Sequence, residues 1–387
     1  MRSAYNESWI YNLEVIKETK RWLKANLIDE SQHNAISASY ATRFYHPNLM
    51  IRILIFIASL IGLSGLTGLL ALLILDADQT IISIGSILYG IGSFYVVDRI
   101  IIKNSNHYKS GLTEALIYHA CGFTIGGFIG LFDFEMVPTL TICILILAFA
   151  AYRYLDLIVT LASILTFGFL VFYVLFELGG IFEQVIPFVF IIIFAVIYFQ
   201  TRKLKSKPKW SIWNNNMVIF EFLSLLIIYV AGNYLVVREL SVNLMGLTLA
   251  EGEDIPFANL FYVLTILLPV AYMYFGIHRK DFVLIRTSLI VLAFSVFTFK
   301  YYYGFNHPEI TLTVAGIFLL GTSLALLNYL KRMKAGYTRE NLLSEKWANM
   351  NAEAFIISQT MGGNQIKQES FQGEGGSFGG GGASGNF

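Results

Sequence analysis

The chain has 387 residues, of which 56% are hydrophobic and 14% charged, and 27 Lys and Arg face 26 Asp and Glu for a formal net charge of +1. A soluble chain carries about 25% charged residues, so this composition excludes an ordinary water-soluble globular protein, and the near-neutral balance offers nothing to nucleic acid. Cys121 and Cys143 both fall inside apolar stretches, where the expected role is a small buried side chain; neither has metal-ligand spacing, and nothing points to a disulfide framework.

In chain order, residues 1–48 are polar and have the pattern of a helical hairpin. Trp9, Ile10, Leu13, Ile16 and Leu23 recur near the helical period, with Trp22 beside them. Asn26 tolerates the left-handed conformation and is the expected stop. Asp29 followed by Gln32 has the form of a capping box for a second helix with Ile36 and Tyr40, and His46-Pro47 ends it. Two roles fit this hairpin: a docking module, or a pair resting on the membrane face, the second having more weight. No signal-peptide core precedes residue 49, so the first apolar run is expected to serve as an uncleaved insertion signal.

Ten apolar runs follow, at about 49–75, 80–102, 112–132, 136–151, 155–175, 181–199, 217–237, 257–277, 281–299 and 309–330. About 20 helical residues cross a bilayer core, and a helix satisfies its own backbone polar groups there. The expected fold is therefore all-α: a polytopic transmembrane helix bundle filling residues 49–334. The loops alternate in charge. One set holds Arg99, Lys103 and Lys109, then Arg153, then five cations within 201–210, then Arg279 and Lys280, then Lys331, Arg332 and Lys334. The other holds Asp76, Asp78, Asp133, Glu135, Glu177, Glu251, Glu253 and Asp254, with Arg238 and Lys300 against them. The positive-inside rule puts the first set and both termini in the cytoplasm of a bacterial inner membrane. A short amphipathic helix is expected over 335–360, and the glycine-rich tail over 361–387 has the composition of disorder.

The run Trp22-Leu-Lys-Ala-Asn-Leu-Ile28, then Gln32, Ile36 and Tyr40 ahead of the first span, resembles an uncharacterised family of bacterial predicted membrane proteins, a domain of unknown function of the 2157 type. The motif covers residues 20–75, and Asn26 stands where that family usually has glycine. The family has no assigned activity to carry over. The tail Gly379-Gly-Gly-Gly-Ala-Ser-Gly-Asn-Phe387 is similar to the C-termini of bacterial envelope proteins with a TPM domain, though no TPM domain is recognisable here. That likeness implies a recognition signal read by a partner.

Polar groups within the spans are the candidate site. Gly122, Gly126 and Gly130 form a small-residue ridge expected to pack against another helix, and His119 lies on the same stripe. His119 suits a proton relay or, with more weight, a neutral interhelical hydrogen bond. Asp98, Arg99, Glu114, Asp156, Glu221 and Arg286 all fall on the expected cytoplasmic half. A charge at a span's centre costs at least about 2.5–3.5 kcal/mol. Glu114, Glu221, Arg286 and Arg99, with His119, are therefore expected to face a cytoplasm-facing polar vestibule, Arg99 and Arg286 pairing with Glu114 and Glu221. Snorkelling to the interface is the alternative for Asp98, Arg99 and Asp156, and for Glu114, Glu221 and Arg286 a structural ion pair and a ligand site stand side by side.

No phosphate loop, HExxH metal motif or GxSxG elbow occurs, and His33, His46, His107, His119, His278 and His307 are scattered. No catalytic residue, metal or cofactor is assigned. The expected function is a non-enzymatic scaffold or assembly component, in contact with membrane lipids and with membrane or envelope proteins through its hairpin and tail. A transporter or lipid translocator with a cytoplasm-facing cavity is the alternative, and an intramembrane enzyme using His119 as acid or base comes third.

Overall fold

The computed structural model describes residues 3–24, 26–73, 76–132, 135–247 and 253–303, with isolated positions between 313 and 331. Among these residues all regular structure is helical. Nine segments are long and apolar enough to cross a membrane. The tenth expected span, 309–330, lies outside the described residues apart from isolated helical positions, and the expected helix over 335–360 and tail over 361–387 lie wholly outside them.

Helix α1 (Glu7–Lys24) starts where the Asn6 carboxamide accepts from the N–H of Ser8 at 3.0 Å. It stops at Asn26, whose φ of 56° is the left-handed turn expected there. Helix α2 (Glu30–Ser39) opens on a complete capping box: the Asp29 carboxylate accepts from the Gln32 N–H at 2.7 Å and the Gln32 side chain from the Asp29 N–H at 3.0 Å. The segment before α1 is tied down as well. The Ala4 N–H donates to the Arg153 carbonyl at 2.9 Å, and the Tyr5 ring meets Tyr108 edge-on at 4.9 Å. Phe44 stacks on Tyr108 at 4.9 Å and meets Tyr5 edge-on at 6.1 Å, so an aromatic clasp links both ends of the N-terminal region to one loop.

The apolar helices are α3 (Leu49–Leu72), α4 (Gln79–Val96), α5 (Leu112–Phe132), α6 (Met136–Tyr154), α7 (Leu157–Leu178) and α8 (Ile181–Lys205). They are followed by α9 (Asn214–Gly232), a short α10 (Tyr234–Asn243), α11 (Ala258–Arg279) and α12 (Phe282–Tyr303). Helix α4 continues as a π-helical stretch, Val97–Asn104, in which wider turns replace the α pattern. Helix α3 buries no residue of its apolar window, and its Met50, Leu54, Ile61 and Leu69 are about two-thirds exposed. In water such a helix would be an aggregation surface; in lipid it needs no cover.

Packing between α4 and α5 depends on small residues. A Cβ on Gly90 would lie 2.2 Å from the Thr124 hydroxyl, and one on Gly127 would lie 2.7 Å from the Ser83 carbonyl. These glycines let the two backbones approach, as helix association in lipid requires. One buried cluster around Val97, Ile117, Tyr154 and Trp213 joins α4 to α6, and a second around Phe194, Tyr229 and Val291 joins α8, α9 and α12.

The expected seventh span, 217–237, is not one helix. Helix α9 ends at Gly232, Asn233 adopts an extended conformation, and α10 starts anew. Asn233 is fully buried, and its side chain caps the new helix and ties the break to its neighbours. The carboxamide oxygen accepts from the Val236 N–H at 3.3 Å, while Nδ2 donates to the Tyr229 and Thr298 hydroxyls at 2.9 and 3.0 Å. The Tyr234 N–H donates to the Thr265 hydroxyl of α11 at 2.9 Å. A break at membrane depth is tolerated only with such substitutes.

Candidate functional site

At the end of the bundle that carries the basic loops, the charged groups pair across helices. Glu114 stands in the first turn of α5 and is 5% exposed. Its Oε2 accepts from the Gly111 N–H at 2.7 Å and from the Thr113 hydroxyl at 2.8 Å, which caps the helix start. Its Oε1 accepts from Arg52 Nη2 of α3 at 2.7 Å. Gly111, at φ 90°, lies so close to α3 that a Cβ would be 2.2 Å from the Arg52 carbonyl. Arg52 thus meets the start of α5 twice, through its backbone at Gly111 and through its side chain at Glu114.

Glu221 of α9 is 2% exposed and accepts from Lys205 Nζ at 2.8 Å. Arg202 pairs with Asp281 and donates to the Tyr198 hydroxyl at 2.7 Å, and Arg153 pairs with Asp98 on the π-helical stretch. Arg99 on that stretch is exposed, and Arg286 of α12 is half-buried. The partners anticipated from the sequence were Arg99 and Arg286. The structure supplies Arg52, in the first turn of α3, for Glu114 and Lys205, at the end of α8, for Glu221 instead.

Asp156, which precedes α7, caps it by accepting from the Val159 N–H at 2.8 Å, and its other oxygen accepts from the Tyr118 hydroxyl at 3.2 Å. Burial pushes its carboxyl above the usual aspartate range, against the pull of the Val159 N–H. Burial likewise lowers the Lys109 ammonium, with Arg52 adding to the effect and Asp156 and Glu114 opposing it. These groups form a compact charge network, and the geometry suits bracing: every carboxylate named here has a donor within hydrogen-bond reach.

His119 is half-buried, stacks near Phe123 at 5.5 Å, and lines a groove of about 430 Å³ with Tyr118, Ser86, Gly122 and Gly126. The expected glycine ridge is therefore divided. A Cβ on Gly130 would lie 2.6 Å from the Ser83 hydroxyl, so this residue packs against α4. Gly122 and Gly126 face the groove, with nothing within 4 Å of a Cβ. The helical rotation explains the correction: Gly127, one position on, takes the packing face. His119 shares no hydrogen bond or ion pair with Glu114 or Glu221 among the described residues.

The opposite, acidic end holds a feature that the sequence reading missed. A cavity of about 550 Å³ lies between α7, α8, α9 and α10, with Phe169, Phe172, Phe190, Ile227 and Val237 on its walls. Pro187 inside α8 and the break at Asn233 both border it. Glu183, Gln184 and Ser241 are its polar lining. Nearby, the Tyr234 hydroxyl donates to Asp254 at 2.8 Å and accepts from Arg238 Nη1 at 2.8 Å, while the Tyr302 hydroxyl donates to Glu239 at 3.2 Å. Residues 248–252 of the acidic loop lie outside the described residues. No group of His, Cys, Asp or Glu among the described residues is arranged to hold a metal ion.

Comparison with protein-family models, with curated proteins and with solved structures finds no match to this chain.

Proposed function

We propose that this chain is a multi-pass protein of the bacterial cytoplasmic membrane, with its basic end and both termini in the cytoplasm, and that it works as a non-catalytic scaffold. The observation that carries this reading is the fate of Glu114 and Glu221. A transport vestibule needs carboxylates presented to a wet path; here both are under a tenth exposed and engaged by Arg52 and Lys205. They are used to hold helices together. The resemblance of residues 20–75 to bacterial predicted membrane proteins agrees with this placement. The N-terminal helices give the scaffold a surface for partners, since Tyr11, Trp22 and Leu27 are between 42% and 62% exposed.

The test is purification of the full chain from its native membrane and quantification of co-purifying membrane or envelope proteins. A scaffold retains a partner at fixed stoichiometry, and the combined W22S and L27S changes release it. Proton or ion flux through reconstituted vesicles that depends on Glu221 contradicts the scaffold reading. A second reading, the handling of lipid molecules, is favoured by one observation: the apolar cavity at the acidic end, bordered by the break at Asn233 and by a proline inside α8.

A further inference from the structure

The cavity between α7, α8, α9 and α10 has a mouth, a wall and a charged edge. Leu165 and Phe169 line it and are also 48% and 49% exposed, so it opens on the lateral apolar face of the bundle. Its walls are aromatic and aliphatic, and its volume of about 550 Å³ falls within the usual range for small-molecule sites. Gly168 keeps the α7 side low: a Cβ there would only just touch Phe194, at 3.5 Å.

The polar edge is negative in character. Glu183 stands in the first turn of α8, and no Lys or Arg among the described residues pairs with it. Pro187 has no N–H, so it cannot donate to the Glu183 carbonyl one turn earlier. On the facing side, α9 ends at Gly232 with Val230 and Ala231 on the cavity. A carboxylate, and a backbone carbonyl that Pro187 cannot serve, therefore stand on the α8 side of an apolar chamber that is open to the side.

We propose that this cavity binds one acyl chain of a membrane lipid whose headgroup carries a primary ammonium. The chain lies among Phe169, Phe172 and Phe190, and the ammonium lies against Glu183. An anionic lipid of the same chain length fits the walls but meets the wrong sign of charge at the edge. The proposal rests on the membrane-spanning reading of these helices and extends the lipid-handling alternative; it does not require transport.

The experiment uses the full chain in phosphatidylcholine vesicles doped with equal amounts of a photoactivatable phosphatidylethanolamine or phosphatidylglycerol, each with a diazirine in the acyl chain, and maps the labelled peptides. Peptides of α7 and α8 containing Phe169 and Phe190 are expected to label about fivefold more with the ethanolamine lipid. E183Q, which leaves the packed walls alone, brings that ratio to about one while chain labelling continues. Gly168→Phe, which fills the chamber, removes labelling of these peptides in both cases. Equal labelling by the two lipids, or a preference that survives E183Q, overturns the proposal. Labelling of α3, whose outward face is exposed throughout, separates the failures: retained on α3 with no preference at the cavity, it refutes the cavity alone, and lost from α3 as well, it refutes the membrane reading.

Discussion

Glu114 shows how a charge within an apolar segment is made tolerable. It caps its own helix through Gly111, pairs with Arg52 across to α3, and is sealed by that contact. Removing one partner of a buried pair strands the other, which costs about 3–5 kcal/mol, more than the pair itself is worth. Glu114→Ala is accordingly expected to lower the thermal midpoint of the detergent-solubilised protein far more than Glu114→Gln, which keeps an acceptor for the Gly111 N–H. Equal loss in the two variants would assign the stabilisation to the ion pair with Arg52 and remove the Gly111 cap from the account. Asp156 behaves differently. Its folded-state pKa is raised by burial, so the folded protein holds a proton that the unfolded chain has released. Its contribution to stability is therefore present at low pH and is lost as pH rises through the raised pKa, with Lys109, Glu114 and Tyr118 facing it. Asp156→Asn keeps the cap on Val159 but has no proton to lose. Melting curves between about pH 4 and 8 should be flatter for the variant than for the parent, and identical slopes would contradict the assignment.

The helices themselves show what could be seen beforehand. Long apolar runs bounded by charge are legible because lipid imposes one length and one hydropathy on every span, and the stop at Asn26 and the box at Asp29 are local signals that need no tertiary contact. The break in the seventh run was not legible. Tyr234 to Val237 continue the apolar composition, and the only sign was Gly232-Asn233, a helix stop followed by a good N-cap. The role of Arg52 is not legible, since a lone arginine one turn inside a span also suits snorkelling and its partner is 62 residues away. The cavity depends on four separate helices and has no contiguous sequence signature at all. Two substitutions test these elements. Asn233→Ala deprives the Val236 N–H and the Thr298 and Tyr229 hydroxyls of a partner, with an expected loss of about 2 kcal/mol by denaturant titration; a loss near zero would mean that water or neighbouring groups serve the break. Gly111→Ala places a methyl against the Arg52 carbonyl in a left-handed backbone. It is expected to abolish recovery of monodisperse protein, whereas Gly122→Ala, with open space around it, is expected to be tolerated.

At the scale of the whole molecule, the two ends do different work. The basic end closes on itself through four ion pairs, Arg52–Glu114, Arg153–Asp98, Arg202–Asp281 and Lys205–Glu221, each linking separate stretches of helix or loop. The acidic end keeps a broken helix and a chamber that is open to the side. The central claim, on which both the scaffold and the lipid site depend, is that nine or more helices cross a bilayer with the basic end in the cytoplasm. The most direct measurement replaces Cys121 and Cys143 by alanine, places single cysteines at exposed Ser206 or exposed Asn243, and treats intact cells with a membrane-impermeant maleimide. Labelling of the Asn243→Cys protein in intact cells, and of the Ser206→Cys protein only after permeabilisation, is the predicted result. Labelling of Ser206→Cys in intact cells would contradict the account.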